Sequence, residues 1–256
     1  MAKSAPSYSR RKLSAAPPRK RDWKVRQVYH VYQRGSRRQR VFKTRAQLIG
    51  YLDRFDRLAR RYRVRVHAFC LMSNHVHFML EPLAKWGISQ VMQHLQSQYA
   101  RSVHQEMGVN GHMWRNHFHC KPIRSSSQYR ATILYVEQNP TSAGMAKKAH
   151  LYDYSSAPAH AANDEHHSLQ HGPHKCKVRL YLGRWRKEFP DHANWAHWLR
   201  SPRDAAHKAE LAEIERILGT DRLQPQKLVE LPPCRPLTQT AAQGPSHTPT
   251  HGWTRQ

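Results

Sequence analysis

The fold class predicted by this sequence is α+β: a four-stranded antiparallel sheet with helices packed on one face. Three observations predict it. Four short runs rich in β-branched and aromatic residues read as strands. Longer stretches between them carry apolar residues at helical spacing. The two kinds fall in the order strand, helix, strand, strand, helix, strand, helix. The first six elements match the split βαβ, ferredoxin-like arrangement βαββαβ. Right-handed crossovers carry both long helices to the same side of such a sheet.

Residues 27–33 (QVYHVYQ) read as the first strand, closed by Arg34-Gly35-Ser36. Residues 46–62 place Leu48, Leu52, Phe55, Leu58 and Ala59 at helical spacing, with Thr44 as N-cap and basic residues in the last turn. Residues 64–72 (VRVHAFCLM) read as the second strand, Ser73-Asn74 as a turn, and residues 75–80 (HVHFML) as the third strand, ended by Pro82. Ile88, Val91, Met92, Leu95 and Tyr99 define a second helix over 88–103. After a loop at 108–111, residues 117–124 (HFHCKPIR) form the fourth strand, where Pro122 marks an edge or a strand end. Ser125, Ser126 and Ser127 supply N-caps for a third helix to about Gln138, which Asn139-Pro140 is expected to break.

Charge narrows the function classes. Lys and Arg number 43 against 17 Asp and Glu, a formal net charge of +26 over 256 residues. Such a charge opposes compaction unless a polyanion is bound, so nucleic acid is the expected partner. An anionic membrane would need a basic helix with a clean apolar face. No run approaches the ~18–20 apolar residues of a span, and no membrane partner is expected. The N-terminal residues have no apolar h-region, so no secretory signal is expected. Cys70, Cys120, Cys176 and Cys234 lie far apart, which argues against a zinc ribbon or a disulfide scaffold and for a reducing, cytoplasmic setting.

The organisation expected is a disordered basic arm over 1–26, a folded domain over 27–156, a His-rich linker over 157–176, a helical region over 177–222 and a disordered Pro-rich tail over 223–256. Helices are expected over 178–189, 194–199 and 202–218, with Trp185, Trp195 and Trp198 making their small core.

Two pieces of chemistry stand out. On a strand His75 and His77 point to one side, about 7 Å apart at the Cα atoms. Two imidazoles so placed are half of a metal site, although a lone His-x-His is more often a pair of satisfied strand histidines. In the third helix Tyr135 and Asn139 are i and i+4 neighbours. A tyrosine hydroxyl near a metal can attack a phosphodiester once its pKa of about 10 is lowered, a base is supplied or the phosphate is polarised. Asn139 offers a hard carbonyl oxygen suited to Mg²⁺ or Mn²⁺.

Together these runs are more specific. Leu71-Met72-Ser73-Asn74-His75-Val76-His77, followed by Tyr135, Asn139-Pro140 and Ala143-Gly144, resembles the IS200-like single-tyrosine HUH transposases, and within them the REP-associated tyrosine transposases. Gln33-Arg34-Gly35-Ser36-Arg37-Arg38-Gln39, Gly111-His112-Met113-Trp114 and Tyr152-Asp153-Tyr154-Ser155-Ser156 complete the likeness, which covers roughly residues 27–156. It implies an enzyme that cleaves and rejoins single-stranded DNA beside a short hairpin, through a 5′-phosphotyrosyl intermediate and without ATP. Tyr135 would be the nucleophile, His75, His77 and Asn139 the ligands of Mg²⁺ or Mn²⁺, and the helix bearing Tyr135 would lie over the face showing both histidines. Arg34, Arg37, Arg38, Arg115 and Lys121 are the expected DNA contacts. A cytoplasmic, nucleoid-associated protein follows, with a monomer slightly favoured over a homodimer. Activity is expected to fade at acid pH as His75 and His77 protonate.

The chain departs from the family pattern in two places. Thr141-Ser142 stands where relatives commonly have Val-Arg, and His117-Phe118-His119 where they tend to show Arg-Phe-Lys. Substrate preference therefore does not carry over. The strip Arg54, Arg57, Arg60, Arg61, Arg63 and Arg65 either tracks a hairpin stem or is a solvated face, and Trp114 either stacks on a base or packs under the fourth strand. The rival reading is a non-catalytic nucleic-acid-binding protein that stacks bases on a ferredoxin-like sheet through Tyr29 and Tyr32.

Overall fold

Four strands, β1 (Tyr29–Arg34), β2 (Val64–Met72), β3 (His75–Pro82) and β4 (His119–Pro122), pair in the order β2-β3-β1-β4, each antiparallel to its neighbour. That is the order a split βαβ pattern requires. The structure, a computed structural model, describes residues 22–168 and 177–199. Residues 1–21 of the expected arm, 169–176 of the linker, the helix over 202–218 and the Pro-rich tail lie outside them.

One face of the sheet is closed by α1 (Arg45–Arg61) and α2 (Gly87–Met107). The Thr44 hydroxyl accepts from Gln47 N–H and starts α1, while Arg60 and Arg61 complement the dipole at its end. Its buried stripe meets the strands, with the Phe55 ring 4.4 Å from Phe78, and meets α2, with Tyr51 5.0 Å from Tyr99. Phe78 thus points to the helices, and alternation turns His75, His77, Met79 and Glu81 to the other face. Register brings Tyr32 opposite His77 and Arg34 opposite His75, so His30, Tyr32 and Arg34 share that face.

The second face is covered by α3 (Ser126–Ser142), which Ser125 caps by accepting from Gln128 N–H. The expected break at Asn139-Pro140 does not occur. Pro140 lies in the last turn, where its missing N–H costs a single intrahelical bond. The helix ends instead at Gly144, with φ +67. Gly144 N–H donates to Thr141 and Met145 N–H to Pro140, the paired bonds of a Schellman ending.

The expected linker and arm boundaries also shift. Part of 157–176 is folded: α4 (Ala157–Ala161) buries Ala157, Ala159 and His160, and β5 (His166–Ser168) pairs with β6 (Lys177–Arg179). A helix was expected from Val178. Val178 is instead the inward residue of β6, and Arg179 N–H donates to Asp56 of α1. Two short helices follow, α5 (Gly183–Glu188) and α6 (Trp195–Trp198). Trp185 and Trp195 are fully buried and Trp198 sits at the rim. Trp23 belongs to the core rather than to a disordered arm: its indole N–H donates to Ser89 and its ring meets Tyr29 edge-on at 4.8 Å. The outer edge of β2 is sheltered by the 152–156 segment, through Leu71 N–H to Tyr154 and Ser156 N–H to Phe69. Among the described residues Cys70 and Cys120 are free thiols, and no helix is long and apolar enough to cross a membrane.

Candidate active site

β3 leaves the Ser73-Asn74 turn with His75 and His77 buried on the face beneath α3. Asn74 Oδ1 lies 2.6 Å from His75 Nδ1, and Asn74 Nδ2 donates to the Arg38 carbonyl. An amide oxygen only accepts, so His75 Nδ1 carries the proton and Nε2 presents its lone pair. That Nε2 is buried and has no hydrogen-bond partner. Burial, reinforced by the Arg34 charge, pushes His75 down to about 3. His77 is held well below the ordinary imidazole value by burial and then by His75, His30 and Arg34. Its Nδ1 lies 3.0 Å from Nε2 of His30, which leaves its own Nε2 for a ligand. His30 is pushed down to about 3 by burial, with Lys121 adding to it.

α3 sets Tyr135 against this group. The phenol ring lies 5.5 Å from His77 and 6.1 Å from His30, edge-on to both, and the residue is 6% exposed. One turn on, Asn139 Nδ2 donates to the Tyr135 carbonyl at 2.8 Å, leaving Oδ1 as the acceptor of that amide. Helix continuity through Pro140 is what keeps Asn139 in register with Tyr135.

Of this donor set the Asn139 amide oxygen suits Mg²⁺ or Mn²⁺, while the two neutral imidazoles suit a transition metal such as Mn²⁺ better than Mg²⁺. The buried, unpartnered Nε2 of His75 is the observation that favours a cation there. Among the described residues no three His, Cys, Asp or Glu side chains are grouped to hold a metal, so such an ion needs Asn139 and oxygens of a bound ligand to complete its shell.

The tyrosine helix is anchored from behind. Glu137 is fully buried: Oε1 accepts from Ser156 Oγ and His160 Nδ1, each at 2.5 Å, and Oε2 from the Trp195 indole at 2.8 Å. Gln138 donates to the Leu199 carbonyl, while Arg130 and Ser126 bond Glu188 of α5. On the sheet side, a bulge at Val66/Ala68 lets His67 reach both Glu81 and Tyr129 at 3.0 Å.

The basic residues divide. Arg34 ends β1 on the face of His75 and His77, half-buried, with Nε and Nη2 buried and unbonded. Arg37 and Arg38 follow in an exposed turn with φ of 50 and 61, and exposed Arg115 donates its N–H to the Arg34 carbonyl. Lys121 stands opposite His30 on the edge strand β4. The strip along α1 is not part of this group. Its members on α1 lie across the sheet from Tyr135, with Arg60 paired to Asp56, while Arg65 of β2 pairs with Glu81 on the face of the tyrosine helix. Trp114 packs, 6.2 Å from both Tyr51 and Tyr99. Tyr32 stacks on His119 at 4.8 Å, while Tyr29 is buried beside Trp23. α1 and α2 cover one face of the sheet, and α3 packs on β2 and β3 of the other, where His119 of β4 is exposed. Ser142 and His117, the departures from the family pattern, are exposed.

Sequence reasoning did not single out His30, Glu137, Ser156 as a helix anchor, or His160. His30 carried a usable signal, since it shares the β1 face of Tyr32 and Arg34. The Glu137 contacts carried none, because their partners lie 19 to 58 residues away.

The family model described as "Transposase IS200 like" matches residues 24–139. Among solved structures, the chain is similar to a REP-associated tyrosine transposase bound to a REP hairpin, at 16% identity over 63% of this chain and 96% of that one, with a TM-score of 0.48. It is also similar to a candidate transposase from Deinococcus radiodurans R1, at 16% identity over 44% of this chain and 90% of that one, with a TM-score of 0.34. No curated protein matches. The residues that resemble the IS200-like transposase family, 24–139, are those that hold the histidine pair, Tyr135 and Asn139.

Proposed function

We propose that this protein is a metal-dependent single-stranded DNA endonuclease and strand transferase, built on a ferredoxin-like sheet and acting beside hairpins of the REP type. The observation that carries this reading is Tyr135, held edge-on 5.5 Å from His77 within one chain. The Tyr135 phenolate oxygen attacks the scissile phosphorus, the bond from phosphorus to the 3′ oxygen breaks, and that oxygen leaves with the electron pair and takes a proton. The products are a 5′-phosphotyrosyl bond and a free 3′-OH. An incoming 3′-OH reverses the exchange and releases the phenol. One phosphodiester is traded for another, so no nucleotide cofactor is consumed.

His75, His77 and Asn139 would hold the divalent cation, which supplies Lewis-acid polarisation of a phosphate oxygen when bound. His30 and Asn74 orient the two imidazoles. Arg37, Arg38 and Arg115 hold DNA phosphates at one end of the site and Lys121 at the other. A monomer is slightly favoured over a homodimer as the working unit. A cytoplasmic protein associated with the nucleoid suits such a substrate.

The test is incubation with labelled hairpin-bearing single-stranded DNA from the flanks of its own gene, with Mn²⁺ or EDTA, beside Tyr135→Phe on a denaturing gel. A slow-migrating covalent species that needs both Mn²⁺ and Tyr135 is expected. Tight hairpin binding with no such species in any metal would replace this reading with the non-catalytic one.

A further inference from the structure

We propose that Arg34 is a catalytic residue, whose guanidinium holds the scissile phosphate against Tyr135 and stabilises the phenolate oxygen in both cleavage and rejoining. The inference rests on the strand-transferase reading and goes beyond it, because it separates Arg34 from the arginines that only grip the backbone.

Placement comes first. Arg34 is the last residue of β1, in register with His75 and on the face that carries His30 and Tyr32. Its main chain is fixed on both sides: Arg115 N–H donates to its carbonyl, and Gly35 N–H donates to the Asn74 carbonyl, each at 2.8 Å. Gly35 has no room for a side chain, since a Cβ there would stand 2.5 Å from the Gln39 carbonyl oxygen and 3.3 Å from that of Asn74. The turn therefore aims Arg34 with little freedom, while Arg37 and Arg38 beyond it are exposed.

Chemistry comes second. Nε and Nη2 of Arg34 are buried and make no hydrogen bond, although a guanidinium carries five donors in a planar fork that matches a phosphate. Arg38 and Arg115 crowd it with like charge, and the one group acting in its favour is the Tyr135 hydroxyl. Among the described residues no carboxylate pairs with it. A half-buried cation in that position is costly alone and is satisfied by an anion arriving between it and the tyrosine. In cleavage the anion is the scissile phosphate, on which negative charge gathers as the bond from phosphorus to the tyrosine oxygen forms. In rejoining that bond breaks, the electron pair returns to the phenol oxygen, and the same guanidinium faces the leaving phenolate.

The experiment measures single-turnover adduct formation and strand rejoining at saturating hairpin DNA in the full chain. Wild type is compared with Arg34→Ala, Arg34→Gln and Arg34→Lys, and thermal unfolding identifies the variants that remain folded. Loss of the guanidinium is expected to slow both steps about 100-fold, the scale of removing one preorganised donor. Hairpin affinity changes by a far smaller factor, Lys retains part of the rate, and added guanidinium ion partly restores Arg34→Ala. Weakened affinity with an unchanged rate at saturation in a folded variant overturns the assignment and makes Arg34 a backbone contact. Failure of the wild type itself to form a Tyr135 adduct overturns the strand-transferase reading instead.

Discussion

His160 Nδ1 and Glu137 Oε1 stand 2.5 Å apart, and neither side chain meets solvent. Ser156 and Trp195 complete a cage around the same carboxyl group, so the helix bearing Tyr135 is pinned by residues that follow it in the chain. Removing the acceptor leaves the buried His160 and Trp195 donors unanswered, while the Ser156 hydroxyl still reaches the Phe69 carbonyl at 3.3 Å. Glu137→Ala is expected to lower stability by about 3–5 kcal/mol, the usual cost of breaking a buried pair from one side. Urea unfolding followed by tryptophan fluorescence reads it directly, because Trp185 and Trp195 sit in the same cluster. A loss below about 1 kcal/mol, the range of a surface pair, would show that the cage contributes little.

His30 is expected to matter without touching metal or DNA. It lies 3.0 Å from the inner nitrogen of His77 and sets the orientation of that ring. His30→Ala should weaken Mn²⁺ binding by about 10–100-fold, the effect of losing an outer partner of a ligand. Calorimetric titration of Mn²⁺ into the protein with uncleavable hairpin DNA measures it. Equal affinity in the variant would make His30 a packing residue.

Acid should destabilise the protein before it protonates the candidate ligands. His30 and His75 titrate at about 3 in the folded chain but near 6.5 when unfolded. Below pH 6.5 the unfolded chain takes up protons that the folded chain refuses. Stability is therefore complete above that point and falls as pH drops toward 3. At pH 5 each of these imidazoles withdraws about 2 kcal/mol. The fading of activity expected at acid pH would then accompany loss of the fold, since burial holds His75 low while the chain is folded. Unfolding midpoints at pH 7 and pH 5 test this, and matching midpoints would contradict it.

Salt should weaken hairpin binding steeply. Arg37, Arg38 and Arg115 are exposed around one end of the site, and each phosphate they neutralise releases counterions. Replacing Arg38 or Arg115 with Ala should reduce the logarithmic salt slope by about 1 and weaken all hairpins alike. An unchanged slope would place the DNA elsewhere.

What was legible in the sequence follows from the range of the forces involved. Thr44, the apolar stripe of α1 and the whole of β2 are local patterns, and they fall where periodicity and capping place them. His75 and His77 share a face because strand alternation leaves no other choice. Pro140 misled because its cost depends on position: in the last turn of a helix it removes one bond, and the true stop is Gly144. The stretch after Tyr154 misled because its Ala and His residues look polar and loose until Glu137 gives His160 a partner. Trp23 was counted with the basic residues around it, although one buried indole outweighs several solvated charges in placing a segment.

Tyr135 and the histidines it faces belong to the same polypeptide, and this has a genetic consequence. A cell making two defective copies, one lacking the phenol and one lacking His75, would hold every functional part yet assemble no working centre. Mixing Tyr135→Phe with His75→Ala should restore nothing at any ratio. Each gene copy then answers for itself: an inactive allele is not rescued by an inactive neighbour.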